Sequence, residues 1–254
     1  MRERLHRAPD GAPFVGADRG DAPLERFARH DVAGGAALDA LLLELAAGFG
    51  RRRWWPAASP FEVAVGAVLT QNTAWRNVEL ALANLRAAGA LEPAALAQLA
   101  VAKAAPAAAL APLEAAIRPS GFFRGKARKL AALTAWWPGD EALATRPLEP
   151  LRAELLAVHG VGPETADCIL CYGGGRPVAV VDAYTRRLLG RHGLVPDADR
   201  IPYETLRAWL EERLLDDQLV REEFHALCVA AGYDHCKPTP RCETCPATAP
   251  ARTA

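Results

Sequence analysis

The sequence predicts an all-α protein, and three observations support this. Hydrophobic residues make up 51% of the 254 residues, with many alanines and few β-branched runs, which favours helix. From Ala36 onward, apolar residues recur at helical spacing in most segments. The one β-prone run, "PVAVV" at 177–181, has no partner run, so we expect an extended connector there rather than a sheet.

Start and stop signals place the individual helices. The first helical pattern runs from Ala36 to Gly50, and Ser59 with Glu62 then forms a capping box that has a proline in the first turn. Asp182 is placed to cap a later helix. Further helices are predicted at about 73–88, 93–101, 107–117, 125–136, 148–158, 163–172, 203–215 and 221–231.

Composition limits the possible partners and the cellular location of the chain. Lys and Arg total 30 and so do Asp and Glu, and this zero net charge argues mildly against a nucleic-acid partner. No apolar targeting segment opens the chain, and its longest uncharged run near the core start, 63–75, is too short for a bilayer. We therefore expect a soluble, cytoplasmic, nucleoid-associated monomer without membrane contact. Residues 1–35 lack periodicity and predict a flexible extension.

A tight glycine turn and a single carboxylate are the first candidates for function. Gly160, Val161 and Gly162 lie between two helical patterns, and the N–H groups at the start of the second helix can bind a phosphate oxygen. The same turn also fits a plain helix-helix corner without a ligand. Asp182 can be an ordinary N-cap, or a carboxylate that stabilises a developing cation.

Two stretches, "LLAVHGVGPETADCILCYG" and "VAVVDAYTRRLL", resemble the helix-hairpin-helix, the following loop and the aspartate of the endonuclease III superfamily of DNA glycosylases. The resemblance spans about residues 36–246. It implies a two-domain helical fold, double-stranded DNA with damaged bases as the partner, and Asp182 as the catalytic carboxylate. The domains expected from it are 57–162, which includes the hairpin start, and 36–56 plus 163–246, followed by a tail at 247–254.

One departure from that superfamily concerns strand cleavage. Bifunctional members carry a lysine two residues after the second hairpin glycine, whereas this chain has Glu164 there. A carboxylate cannot form the imine that a lyase step needs. The resemblance therefore implies a catalytic site without AP lyase activity.

The stretch "RRRWWPAASPFEVAVGAVLTQNTAW" at 51–75 resembles the bacterial 3-methyladenine glycosylase branch of the superfamily. That resemblance implies that Trp54, Trp55, Pro56 and Trp75 line the pocket for the damaged base. N-alkylated purines carry positive charge, and a cation stacks favourably on indole. Taken alone, the tryptophans are equally well explained as core and surface residues.

The same resemblance assigns DNA contacts. Gln71 matches the glutamine that fills the gap left by a flipped base, and Phe122 matches the wedge that enters the opposite strand. Lys126, in the cationic run "RGKARK", and Arg186, after Asp182, are expected at phosphates. Alone, these residues also fit a helix end, core packing and solvated faces.

Cysteines near the C-terminal end suggest a metal centre. Cys236, Cys242 and Cys245 are spaced C-x5-C-x2-C, whereas family members with a 4Fe-4S cluster use C-x6-C-x2-C-x5-C. The first gap is one residue short and the last cysteine is missing, so Cys228 is the candidate fourth ligand. We expect an iron-sulfur cluster, with zinc or a metal-free tail as the alternatives. Cys168 and Cys171 are predicted to be core residues.

The resemblance and the motifs together predict a monofunctional base-excision repair glycosylase that removes alkylated purines such as 3-methyladenine. Two alternatives stay open. One is an endonuclease III-like glycosylase for uracil, oxidised pyrimidines or mismatched thymine. The other is a non-catalytic helix-hairpin-helix DNA-binding protein.

Overall fold

A computed structural model describes residues 24–52, 54–100 and 110–247. Twelve α-helices are found in these residues, and their only β pairing is an isolated bridge between Ala28 and Leu214. The all-α prediction is therefore confirmed. The helices are α1 Gly35–Phe49, α2 Pro60–Thr70, α3 Trp75–Ala87, α4 Pro93–Ala100, α5 Ala111–Ile117, α6 Phe123–Trp136, α7 Asp140–Thr145, α8 Leu148–Ala157, α9 Pro163–Cys168, α10 Ala183–Arg191, α11 Tyr203–Arg213 and α12 Gln218–Asp234. Within the described residues, no helix is both long and apolar enough to cross a membrane.

The chain forms two compact units. One is built from residues 57–174, which we call the contiguous unit. The other combines the described residues among 24–56 with residues 175–247, and we call it the two-segment unit. The chain returns to the two-segment unit after Gly174, whereas the sequence placed that boundary after Gly162. Helix α9 therefore belongs to the contiguous unit.

Helix α2 is the central helix of the contiguous unit. Its capping box forms, with Glu62 N–H donating to Ser59 Oγ at 3.1 Å. The Glu62 side chain also accepts from Ala58 N–H at 3.0 Å and pairs with Arg86 of α3. Nearly every other residue of α2 is buried, as expected for a helix covered on all sides. A charged residue is tolerated inside because its carboxylate has both a cation, Arg86, and one backbone donor, Ala58 N–H.

A buried ion pair fixes the helical hairpin of the contiguous unit. Arg152 of α8 donates to Asp167 of α9 through two parallel bonds, of 2.7 and 3.0 Å, and both side chains are almost fully buried. The loss of one partner would strand a buried charge, which costs about 3–5 kcal/mol. The pair therefore holds α8 and α9 in a defined geometry. After α9 the chain forms a π-helical turn, Ile169–Gly173, where the sequence predicted continuous α-helix.

Residues 24–34 belong to the two-segment unit rather than to an extension. Phe27 and Ala28 have 0% exposure, and their N–H groups donate to Asp39 Oδ1 at 2.6 and 3.0 Å. His30 contacts the other oxygen of Asp39 at 2.7 Å. The sequence missed this because a single aromatic residue in a polar stretch gives no periodic signal. The expected flexible residues 1–23 lie outside the described part.

The β-prone run before Asp182 is an extended connector, as predicted. Its residues 178–181 are buried, and side chains satisfy its backbone instead of a partner strand. Ala179 N–H donates to Glu211 at 3.0 Å, and Val181 N–H donates to the Tyr203 hydroxyl at 3.4 Å. These contacts fix the position at which Asp182 begins α10.

Candidate active site and DNA interface

Asp182 is an anchored and nearly buried carboxylate. Its Oδ1 accepts from Thr185 N–H at 2.7 Å, so the predicted N-cap of α10 is confirmed. Its Oδ2 lies 3.6 Å from His225 Nε2 of α12. Burial raises the pKa of Asp182, but the hydrogen bond and charge of His225, together with the Thr185 N–H, outweigh it and leave the pKa below its usual value. The carboxylate is therefore ionised at neutral pH.

Sequence reasoning missed His225. It lies on α12 between buried apolar neighbours, Phe224 and Leu227, and its own exposure is 4%. A histidine on the apolar face of a helix is the signal that was available. Such a residue needs a polar partner in the core, and here it faces the Asp182 carboxylate.

Helix α12 also anchors the tryptophan segment. Glu223, which is 3% exposed, accepts from Arg52 N–H at 2.5 Å, two residues before Trp54. The Trp54 and Trp55 rings lie 5.9 Å apart and are tilted by 54°. Trp55 is buried, whereas Trp54 and Pro56 are partly exposed. One helix thus positions both the catalytic candidate and part of the predicted base pocket.

Trp75, the remaining pocket candidate, opens α3 in the contiguous unit and is partly exposed. Its indole hydrogen-bonds to Glu79 one helical turn later. Burial raises the pKa of Glu79, and this bond offsets the rise only in part. The Trp75 ring is therefore oriented by a residue of its own helix.

Lys126 ties together the two loops of the contiguous unit that carry Gln71 and Phe122. Its Nζ donates to Leu69 O at 2.7 Å, Ser120 O at 2.7 Å and Thr73 Oγ1 at 2.5 Å. The side chain is 2% exposed, and burial followed by the charge of Lys129 lowers its pKa to about 8. The structure therefore gives Lys126 an internal role, not the phosphate contact that the cationic run suggested.

Phe122 and Asn72 border one cavity in strained backbone conformations. Their φ angles are 45° and 51°, which makes them two of the three non-glycine residues with positive φ in the described chain. Phe122 is also 79% exposed. Strain of this kind tends to persist at functional sites. The cavity has a volume of about 280 Å³ and is lined by Gln71, Asn72, Phe122, Gly125, Lys126 and Lys129.

The two hairpin glycines differ in what requires them. Gly160 has φ 83°, and a Cβ there would overlap the stem of Lys129. Gly162 has φ −95°, which any residue can adopt. A Cβ on Gly162 would meet nothing within 4 Å. Packing therefore does not require a glycine at 162, and its exposed face beside the start of α9 is open to a ligand.

Three other predicted residues have defined surroundings. Val161 is buried and donates its N–H to Val158 O at 3.0 Å. Glu164 is exposed in the first turn of α9. Arg186 donates to two loop carbonyls at 2.7 Å each, so at least one of its nitrogens is used inside the two-segment unit.

Two of the four candidate cysteine ligands, Cys228 and Cys245, have raised pKa values. Burial raises the pKa of Cys245, and the neighbouring Cys236 and Cys242 add to that rise. Burial also raises the pKa of Cys228 well above its usual value, with further contributions from Asp182 and Cys236. Within the described residues, no three His, Cys, Asp or Glu side chains are placed to hold a single metal ion. Cys228 is the most deeply buried of the four cysteines.

Comparisons with known proteins show the family of the chain. Residues 65–213 match the HhH-GPD superfamily of base excision DNA repair proteins. The chain is 37% identical over 204 residues to a protein of Methanocaldococcus jannaschii that is named as a DNA repair glycosylase, and the match covers 78% of this chain and 88% of that protein.

Many solved structures are similar to this chain, among them two that share at least 25% sequence identity with it. One is the Helicobacter pylori 3-methyladenine DNA glycosylase bound to 1,N6-ethenoadenine, with 29% identity, a TM-score of 0.59 and coverage of 79% of this chain and 97% of that one. The other is endonuclease III in a non-covalent complex with DNA, with 25% identity, a TM-score of 0.64 and coverage of 81% and 89%. The chain therefore belongs to the HhH-GPD superfamily and is a DNA repair glycosylase of that family.

Proposed function

We propose that this glycosylase is monofunctional and releases N-alkylated purines, such as 3-methyladenine, from double-stranded DNA. The observation that carries the proposal is the arrangement around α12. His225 of this helix faces the ionised Asp182, and Glu223 of the same helix anchors the segment that leads to Trp54. The similar H. pylori enzyme, a 3-methyladenine glycosylase, supports the same substrate class.

The Asp182 carboxylate matches the charge that forms during base release. As the bond between the sugar carbon and the purine nitrogen breaks, its electron pair leaves with the base and positive charge builds on the sugar. A fixed carboxylate in a nearly buried site stabilises that charge. Water then adds to the sugar carbon, and its proton passes to the carboxylate or to solvent. His225 keeps Asp182 ionised for this step.

Aromatic stacking selects the base. An N-alkylated purine is a cation, and indole rings stabilise a stacked cation by about 2 kcal/mol or more when water is excluded. Its weakened pairing also lowers the cost of flipping it out of the helix. In the proposal, Trp54, Trp55 and Pro56 supply such surfaces in the two-segment unit, and Trp75 supplies one in the contiguous unit.

The contiguous unit supplies the proposed contacts that position the DNA. In the proposal the exposed Phe122 wedges into the strand opposite the flipped base, and Gln71 fills the gap that the base leaves. A backbone phosphate meets the open face at Gly162 and the first N–H groups of α9. The positive φ angles of Asn72 and Phe122, which line one cavity, support this assignment because backbone strain tends to persist at functional sites.

The enzyme is proposed to lack a lyase step because Glu164 stands where the nucleophilic lysine would be. A duplex with 3-methyladenine should lose its base when incubated with the protein, and borohydride should trap no covalent protein–DNA adduct. An efficient adduct would contradict the monofunctional assignment. Retention of the methylated base would contradict the substrate assignment.

Similarity to endonuclease III supports a second candidate, a glycosylase for oxidised or mismatched pyrimidines. Duplexes with thymine glycol, with uracil and with a thymine–guanine mismatch belong in the same assay. Release from these alone would favour the second candidate. Tight binding without release of any base would indicate a non-catalytic DNA-binding protein.

We also propose that the C-terminal cysteines hold a 4Fe-4S cluster. Cys236, Cys242 and Cys245 would be three ligands, and Cys228 the fourth. The cluster would supply a fixed set of bonds for the loop after α12 and would take no part in base release. Arg191 supports the loop independently, since it donates to Cys236 Sγ at 3.4 Å and to Lys237 O at 2.5 Å.

A further inference from the structure

The Gln71 side-chain amide is held from two directions inside the contiguous unit. Its oxygen accepts from Lys129 Nζ at 2.5 Å. Its nitrogen donates to the carbonyl of the hairpin residue Gly160 and to Thr165 Oγ1, both at 3.0 Å. A partly exposed glutamine at a helix end would ordinarily sample several rotamers. Three hydrogen bonds instead hold this one in a single orientation.

Lys129 decides which way the amide faces. An ammonium group has donors and no acceptor, so only the oxygen of the amide can face it. The nitrogen is then directed toward the hairpin, where it meets an acceptor carbonyl. The charge of Lys129 thus sets the amide orientation.

The stem of Lys129 lies against Gly160. A Cβ on that glycine would overlap the Cγ, Cδ and Cε atoms of the lysine. The absence of a side chain at residue 160 therefore gives the lysine its path, and the lysine then reaches Gln71. The hairpin, Lys129 and Gln71 form one packed unit.

We propose that Lys129 is a positioning residue that preorganises Gln71 for insertion into DNA. This rests on the proposed role of Gln71 in filling the gap beside a flipped base. Lys129 acts through Gln71, since it fixes the amide before DNA binds and lowers the entropy lost on insertion. Ordering one long side chain changes affinity by about two- to tenfold, and this is the expected size of the effect.

The test measures binding to a duplex with a stable abasic analogue and to the matching undamaged duplex. No base is excised, so the result does not depend on which lesion the enzyme prefers. Lys129→Met should reduce the preference for the abasic duplex by about two- to tenfold. Lys129→Arg, which retains a cationic donor, should keep most of the preference. Urea unfolding of each variant reports any loss of folding.

A double-mutant cycle separates positioning from charge alone. If Lys129 acts through Gln71, Lys129→Met should add nothing to the loss of preference in Gln71→Ala. The matched control is Arg128→Met, which removes a cation from an exposed site on the same helix. Its effect should be additive with Gln71→Ala and equal on both duplexes. Additivity of Lys129→Met with Gln71→Ala would overturn the proposal, and so would a wild-type protein without any abasic preference.

Discussion

Replacement of Asp182 by asparagine should separate catalysis from helix capping. Asparagine caps helices about as well as aspartate, so its side-chain oxygen can keep the 2.7 Å bond to Thr185 N–H. The free energy of unfolding should therefore fall by only about 1–2 kcal/mol, through the lost interactions with His225 and with the helix dipole. The negative charge, however, is removed entirely.

The loss of charge sets the size of the catalytic effect. A carboxylate about 4 Å from a unit positive charge contributes about 4 kcal/mol at an effective dielectric constant near 20. That corresponds to about a thousandfold in rate, and we expect the rate of base release to fall by at least about a hundredfold. Single-turnover release of 3-methyladenine measures this. DNA affinity should change little, because phosphate contacts supply most of it.

Asp217 offers a matched control for this substitution. It caps α12 through a 3.0 Å bond from Val220 N–H, which is the same interaction that Asp182 makes for α10. Asp217→Asn should leave the rate of base release unchanged. Wild-type rates in Asp182→Asn would show that the carboxylate is only a helix cap. Equal losses in both variants would show that the effect arises from capping.

Three further outcomes are expected. Phe122→Asn should raise the free energy of unfolding by about 1 kcal/mol in a urea titration, because asparagine tolerates positive φ and removal of the exposed ring sacrifices little buried surface. The same substitution should nevertheless slow base release. The pKa of lysine is near 10.5 in the unfolded chain and about 8 for buried Lys126. Between these values the unfolded state binds the extra proton, so the free energy of unfolding of the wild type should rise with increasing pH relative to that of Lys126→Met. Parallel stability curves for the two proteins would contradict this. The purified protein should contain iron and absorb visible light, and both should be lost in Cys236→Ser and Cys242→Ser; a colourless, iron-free wild type would contradict the cluster.

Local signals in the sequence were sufficient for much of the helical framework. Ser59 and Glu62 act through bonds to backbone only a few residues away, and Asp182 caps α10 in the same way. Such interactions depend on neighbours in the chain, so they can be recognised without knowledge of the fold. The short helix α7 was missed because Asp140–Thr145 is too brief to show a repeating pattern.

The rest depended on distant parts of the chain. Lys126 was predicted at phosphates because it lies in a run of cations, but it shares the inner face of α6 with Ala127 and Leu130. Its charge is stabilised there because the Leu69 and Ser120 carbonyls and the Thr73 hydroxyl accept from it. His225 faces Asp182 only through the packing of α10 on α12. No local pattern encodes either contact.

The division of the chain into two units has a consequence for synthesis on the ribosome. Residues 57–174 can fold as soon as they emerge, because their unit is continuous in sequence. Helix α1 must wait, because the helix that it packs against, α12, is made near the end. Asp182 likewise meets His225 only after α12 has formed. A chain that stops early would therefore present the hairpin, which is proposed to contact phosphates, without the Asp182–His225 pair that base release is proposed to need.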